Sequence, residues 1–198
     1  MSRLFLASSS PRRKEILENL GLRFTVRPAD IDESLISGED AASYVLRMAV
    51  QKALAAAIDV DEGIIIGADT IVSLDEDILG KPEDSEEARK QLTELSGREH
   101  IVITGLGVVD KKSNRTVSAM VQTIVYFKEL SEEEIEAYIQ TGEPMDKAGS
   151  YGIQGKGAVF IRRIEGDYYN VVGLPVAKLY SLLTELGYDY FDEFGGIM

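Results

Sequence analysis

The run Ser8-Ser9-Ser10-Pro11-Arg12-Arg13-Lys14 sets three hydroxyls, a helix-starting proline and three cations side by side. The apolar stretch Leu4-Phe5-Leu6-Ala7 before it reads as a strand. Ser10 is then placed as N-cap and Pro11 at the first helical position. Cations in a first helical turn are the wrong charge for that end, which already carries about half a positive charge and unpaired N–H groups. An anion relieves the conflict, most simply a phosphate held by N–H groups, by the hydroxyls of Ser8 and Ser10 and by arginine forks. Ile16, Leu17 and Leu20 define the apolar stripe of this helix. At roughly 100° per residue Arg13 projects onto that stripe, Arg12 onto its edge, and Lys14 away into water. The plain alternative is three solvated cations on a frayed helix end.

A second group of candidates lies further along. Asp69-Thr70 interrupts apolar residues on both sides, and a carboxylate there needs a partner or a metal because burying it alone is costly. Lys52 falls among Val45, Met48, Ala49 and Ala56 in helical projection, a face where an unpaired lysine is rare. It either snorkels past small alanines or is aimed at a phosphate or at Asp69. Lys81 sits in the fixed turn Leu79-Gly80-Lys81-Pro82. Glu33 could join Asp69 as a hard oxygen ligand for Mg²⁺ or Mn²⁺, in competition with Asp30, Asp32 and Glu39. The segment Asp146–Gly155 holds three closely spaced glycines. Such a loop either lets backbone approach a ligand or is a structural tight turn. Within it, Gln154 offers an amide donor and acceptor suited to a base edge. Walker A and strand-to-helix Gly-x-Gly-x-x-Gly patterns are absent, so the phosphate site is of another kind. A lone His100 excludes multi-histidine metal sites and reads as a strand-end residue.

The elements that must position these residues follow from the hydrophobic pattern. Gly21 ends the first helix, and Phe24-Thr25-Val26 reads as a strand. Residues 28–39 form an acidic loop, and Asp40 caps a long helix to about Ile58. Ile64–Ala68 is an apolar run typical of a strand buried on both faces, continued by Ile71-Val72. Asp75-Glu76-Asp77 turns the chain toward Ile78-Leu79, and Ser85 opens a helix that ends before Gly97. Residues 100–109 and 117–127 pair across Lys111–Asn114. Ser131 and Glu134 have capping-box spacing before a helix stopped by Gly142. A Gly-rich loop spans 146–157, strands follow at 158–164 and 168–172, and Pro175 starts a last helix ending near Gly187. Strands and helices mix without strict alternation, which predicts an α/β fold with a mixed sheet.

Composition bounds the rest. The 198 residues suffice for one sizeable domain or two small lobes. A net charge of −13, from 21 basic and 34 acidic residues, predicts poor non-specific binding to nucleic acid or anionic membrane. The basic helix start is a local exception. No stretch approaches the ~20 apolar residues of a membrane span. There is no cysteine, which excludes disulfides, thiolate metal sites and a cysteine nucleophile. The expected location is the cytoplasm.

Five ordered motifs carry a resemblance. Ser8–Arg13, Gly67-Ala68-Asp69-Thr70, Gly80-Lys81-Pro82, Asp146-Lys147-Ala148-Gly149 and Tyr151-Gly152-Ile153-Gln154-Gly155 together resemble the Maf family of nucleoside triphosphate pyrophosphatases. The similarity runs over nearly the whole chain and points to the branch acting on dTTP and UTP. It implies a single domain over residues 1–198, with a mixed twisted sheet, flanking helices and two lobes around a cleft, similar to inosine triphosphate pyrophosphatases. It also implies hydrolysis of the α–β phosphoanhydride to monophosphate and pyrophosphate with a divalent metal, in nucleotide-pool sanitation. The family's catalytic acid matches Asp69, and its substrate-selecting positions match Arg12, Thr70 and Gln154. Its cleft charges match Glu33, Lys52 and Lys81. The expected partner is a small-molecule nucleoside triphosphate, with no nucleic acid and no membrane; a homodimer is the assembly considered. A nucleotide-binding regulator of septum formation with weak turnover is the competing reading, and a kinase-like or nucleotidyl-transfer protein a third.

Overall fold

The computed structural model describes residues 3–75 and 77–194. Strand β1 is Leu4–Leu6, and helix α1, Pro11–Asn19, follows with Ser10 as N-cap and Pro11 at its start. Ile16 and Leu17 are buried while Lys14 is exposed and pairs with Glu18, as the helical phase requires. Gly21, at φ 71°, turns the chain out of α1 toward β2, Phe24–Val26. Helix α2 is Ala41–Ala56, with the Asp40 carboxylate accepting from the Ser43 N–H. It ends two residues short of the expected Ile58. Strand β3, Ile64–Leu74, is buried almost throughout, and β4, Asp77–Leu79, returns antiparallel against it. Glu76, in the expected turn, lies outside the described residues.

Helix α3, Ser85–Leu95, is capped by Asp84, which accepts from the N–H groups of Glu86 and Glu87. Strands β5, Glu99–Asp110, and β6, Arg115–Phe127, are joined by a turn too short for anything but an antiparallel pair. Helix α4, Glu132–Ile139, opens with the expected capping box of Ser131 and Glu134. Strand β7 is Ile161–Glu165, α5 is Tyr168–Val172 and α6 is Val176–Glu185. The seven strands form one mixed sheet in the order β2-β1-β3-β5-β6-β7, with β4 paired to β3. β1 runs parallel to both β2 and β3, and β6 antiparallel to β7.

Two expectations are corrected here. The strand expected at 158–164 begins only at Ile161, after a 3-10 turn over Lys156–Phe160. The strand expected at 168–172 is the helix α5. Its apolar and aromatic residues suit a strand, but the side chain of Asp167 accepts from the N–H groups of Tyr169 (2.7 Å) and Asn170 (3.3 Å). That local cap starts a helical turn. The turn carries Asn170 inward, where its amide donates to the Val102 carbonyl and the Thr123 hydroxyl, both at 3.0 Å.

The chain forms two compact units, three of whose boundaries fall inside β3, β5 and β6 and the fourth just after α5. The first holds the chain through Asp69, Thr104–Val121 and the chain from Gly173 on; the second holds Thr70–Ile103 and Gln122–Val172. Each has its own apolar core. In the first, Ala7, Ala53, Ala56, Ile65 and Val109 come together. In the second, Leu92, Leu95, Val125, Phe127 and Phe160 do.

Candidate active site

The first unit gathers most of the expected residues. α2 lies unusually close to the sheet. A Cβ on Gly67 of β3 would collide with the Ala49 carbonyl and come within 2.8 Å of the Ala53 nitrogen. Gly105 and Gly107 of β5 meet the α2 backbone at Val45 and Val50 in the same way. Only glycine permits this approach. It sets Lys52, one residue before Ala53, beside Asp69, two residues after Gly67. The Lys52 ammonium donates to Asp69 Oδ1 at 2.7 Å and lies 2.9 Å from Glu33 Oε1. Both the Lys52 and the Asp69 side chains are 12% exposed. The lysine is therefore aimed at Asp69 rather than snorkelling, and the two carboxylates share its charge.

Glu33 is set in place by residues that the sequence did not single out. The Tyr44 hydroxyl donates to the Glu33 carbonyl at 3.0 Å, and Arg47 Nη2 donates to the Ser34 carbonyl at 3.0 Å. Burial pushes the Tyr44 phenol up to about 12, helped by the negative charges of Asp69 and Glu33, so it stays a donor. Asp32 is taken up by Ser34, and Glu39 by Arg47. Among the acidic residues competing for this role, it is Glu33 that reaches Lys52. Spacing offered no clear signal for Tyr44 and Arg47: three apart, they share a side of α2, but Lys52, five beyond Arg47, lies about 140° around the helix from it.

At the start of α1 the hydroxyl that works is that of Ser8. It accepts from the Ser10 N–H (3.2 Å) and from Arg13 Nη1 (3.1 Å). Arg13 Nε also donates to the Gly173 carbonyl at 2.8 Å. Ser10 keeps the N-cap position without a side-chain cap bond. Burial lowers the Arg13 pKa, the Asp69 carboxylate opposes that shift, and Arg12 adds to it. Arginine stays cationic regardless. The helix-end charge is thus partly answered inside the protein, by a hydroxyl, a carbonyl and nearby carboxylates.

Thr70 follows Asp69 on β3 and opens the second unit. Lys81 is exposed after β4. Gln154 is exposed in a turn closed by the Gly155 N–H on the Gly152 carbonyl at 3.3 Å. The glycines of this loop abut protein groups. A Cβ on Gly149 would meet Val72, and one on Gly152 would meet Lys147. Packing within the protein therefore accounts for glycine at these two positions. His100 is buried in β5, with Nε2 2.7 Å from the Tyr151 hydroxyl.

Among the described residues there is no group of three or more His, Cys, Asp or Glu that could hold a metal. Glu33 and Asp69 nevertheless converge on one cationic point, the Lys52 ammonium. Two carboxylates suit a hard cation such as Mg²⁺, which takes one or two of them and completes its shell with phosphate and water. The donor set fits such an ion.

Comparison with known proteins bears on the fold and the family. A solved HAM1 protein from Coxiella burnetii shares the fold at a TM-score of 0.53, with 16% identity over 93% of this chain and all of that one. The mixed α/β sheet with flanking helices is therefore the architecture of that class. The family model for Maf-like proteins matches residues 3–186, and the chain belongs to that family. It is 53% identical over 184 residues to a dTTP/UTP pyrophosphatase of Alkaliphilus metalliredigens, covering 92% of this chain and 95% of that one. It is 49% identical over 182 residues to a dTTP/UTP pyrophosphatase of Clostridioides difficile, covering 92% and 94%.

Proposed function

We propose that this chain is a nucleoside triphosphate pyrophosphatase that hydrolyses dTTP and UTP to the monophosphate and pyrophosphate, as a nucleotide-pool enzyme of the cytoplasm. The observation that carries the reading is the Asp69–Lys52–Glu33 constellation, in a chain about half identical to enzymes so named over nine-tenths of its length. We read the chain as a single domain, a reading supported by one family model that matches residues 3–186. No helix among the described residues is long and apolar enough to cross a membrane.

In the mechanism, Ser8, Ser10, Arg12 and Arg13 bind the phosphates at the start of α1 by charge-assisted hydrogen bonds. Asp69 accepts a proton from water and orients its oxygen toward the α-phosphorus. The new P–O bond forms there as the bond to the α–β bridging oxygen breaks, and pyrophosphate leaves with that electron pair. Lys52 and Lys81 offset the charge that develops on it. Glu33 and Asp69 would hold the divalent cation, Mg²⁺ or Mn²⁺, which when bound neutralises phosphate charge and makes water more acidic. Arg12, Thr70 and Gln154 select the base. A uracil or thymine edge alternates carbonyl acceptors with one N–H donor, and the Gln154 amide can match both kinds. Cytosine leaves one of them mismatched, at about 1–3 kcal/mol per unpaired buried group.

Product analysis over a panel of nucleotides with Mg²⁺ and Mn²⁺ tests this. Monophosphate plus pyrophosphate, with dTTP and UTP preferred over CTP and purine triphosphates, is the expected result. Binding without product would favour the septum regulator, and a transferred group would favour a kinase-like protein.

A further inference from the structure

The turn that carries Gln154 is held from beneath by one carboxylate. Glu143 follows Gly142 in the connection after α4. Its Oε1 accepts from the Tyr138 hydroxyl (2.9 Å) and the Gly157 N–H (3.2 Å), and its Oε2 from the Lys156 N–H (2.9 Å). The Tyr138 hydroxyl accepts in turn from the Gly152 N–H at 3.2 Å. Lys147 donates to the Glu143 carbonyl at 2.7 Å and closes the other side. The two ends of the segment Gly152–Gly157 are therefore tied to one group. Gly155 has φ −108°, which most residues adopt. It is glycine for another reason: a Cβ there would overlap the Glu143 carboxylate. Burial works against the Glu143 charge, yet the N–H groups of Lys156 and Gly157 and the Tyr138 hydroxyl hold its carboxyl below the usual range.

The geometry points to Glu143 as a positioning residue for base selection: it fixes the turn that presents Gln154 and the adjacent backbone to the pyrimidine edge. This rests on the reading of the turn around Gln154, through its side chain or its backbone, as the base-selecting element. The physical demand is for an acceptor-only group, because every partner facing its two oxygens is a donor. Glutamine keeps one acceptor oxygen but sets an NH₂ against an N–H or O–H donor. The turn is then freed at one end with little change in volume.

The test uses the full chain with Glu143→Gln, Tyr138→Phe and Gln154→Ala. Amide hydrogen exchange over residues 152–157 is measured, with kcat/KM for UTP and CTP. In Glu143→Gln, exchange at Lys156 and Gly157 should quicken about tenfold or more. The UTP-over-CTP ratio should fall about fivefold or more, mainly through a higher KM for UTP. Tyr138→Phe should move both in the same direction by less. Unchanged exchange in Glu143→Gln overturns the proposal. So does faster exchange with an intact ratio. If Gln154→Ala leaves the ratio intact while Glu143→Gln lowers it, Gln154 is not the reader and the positioned backbone is, so Glu143 keeps its role. A native enzyme with no preference between UTP and CTP overturns both.

Discussion

Asp69, with its side chain 12% exposed, pairs with Lys52 at 2.7 Å, and Glu33 shares the same ammonium. Asp69→Asn keeps the shape and loses the charge that attracts a cation and accepts a proton. Turnover should nearly vanish while nucleotide binding persists, and a single-turnover rate within about tenfold of the native one would remove Asp69 from the mechanism. Arg13 bonds both Ser8 and the Gly173 carbonyl, so its fork has structural partners beside any phosphate. Arg13→Ala should weaken triphosphate binding by about 1.5–3 kcal/mol while leaving nucleoside binding little changed. Titration calorimetry with UTP and uridine separates the two, and equal losses would place Arg13 in a structural role.

Between elements, the decisive contact is backbone on backbone. Gly67 lets α2 lie against β3, which brings Lys52 to Asp69. In Gly67→Ala the new methyl meets the Ala49 carbonyl and the Ala53 nitrogen, so the helix must shift. A loss of about 1–3 kcal/mol in urea unfolding is expected, with lower turnover. Ser131→Ala removes a capping-box hydroxyl far along the chain from these residues. It should cost about 1 kcal/mol and leave kcat unchanged. If the two variants lost turnover alike, the close approach of α2 would not be what positions Lys52.

Across the whole molecule, acid stability depends on a group outside the proposed chemistry. His100 is 2% exposed, its Nδ1 has no hydrogen-bond partner, and burial lowers its pKa to about 3. The native imidazole is therefore neutral, while the unfolded chain takes up a proton below about pH 6.5. A depressed folded pKa means that this stability is present above the unfolded value and is lost as pH falls toward the folded one. The stability gap between the native protein and His100→Gln should narrow by about 1.4 kcal/mol per pH unit between roughly pH 6 and pH 4. Urea midpoints across that range measure it, and a constant gap would mean that His100 already binds a proton in the native state.

The elements were legible in the sequence wherever a local rule governed them. Pro11 at a helix start, the Ser131–Glu134 capping box and the buried run from Ile64 each appear where their chemistry dictates. Asp69 and Lys52 stood out because a charge among apolar neighbours requires a partner. Glu33 was singled out from Asp32 and Glu39 by the family resemblance and not by its local chemistry, and the roles of Tyr44 and Arg47 and the Glu143 support under Gln154 were not legible. Each depends on which donor the folded chain brings within about 3 Å of an acceptor, and acidic residues a few positions apart look alike in sequence. The residues 168–172 show the same limit. Their composition favours a strand, but Asp167 and the buried partners of Asn170 make them a helix. Chain-local physics determined the type of most elements and the residues able to do chemistry. Tertiary structure alone decided which of those residues meet, because hydrogen bonds and ion pairs are made across gaps that the order of residues does not encode.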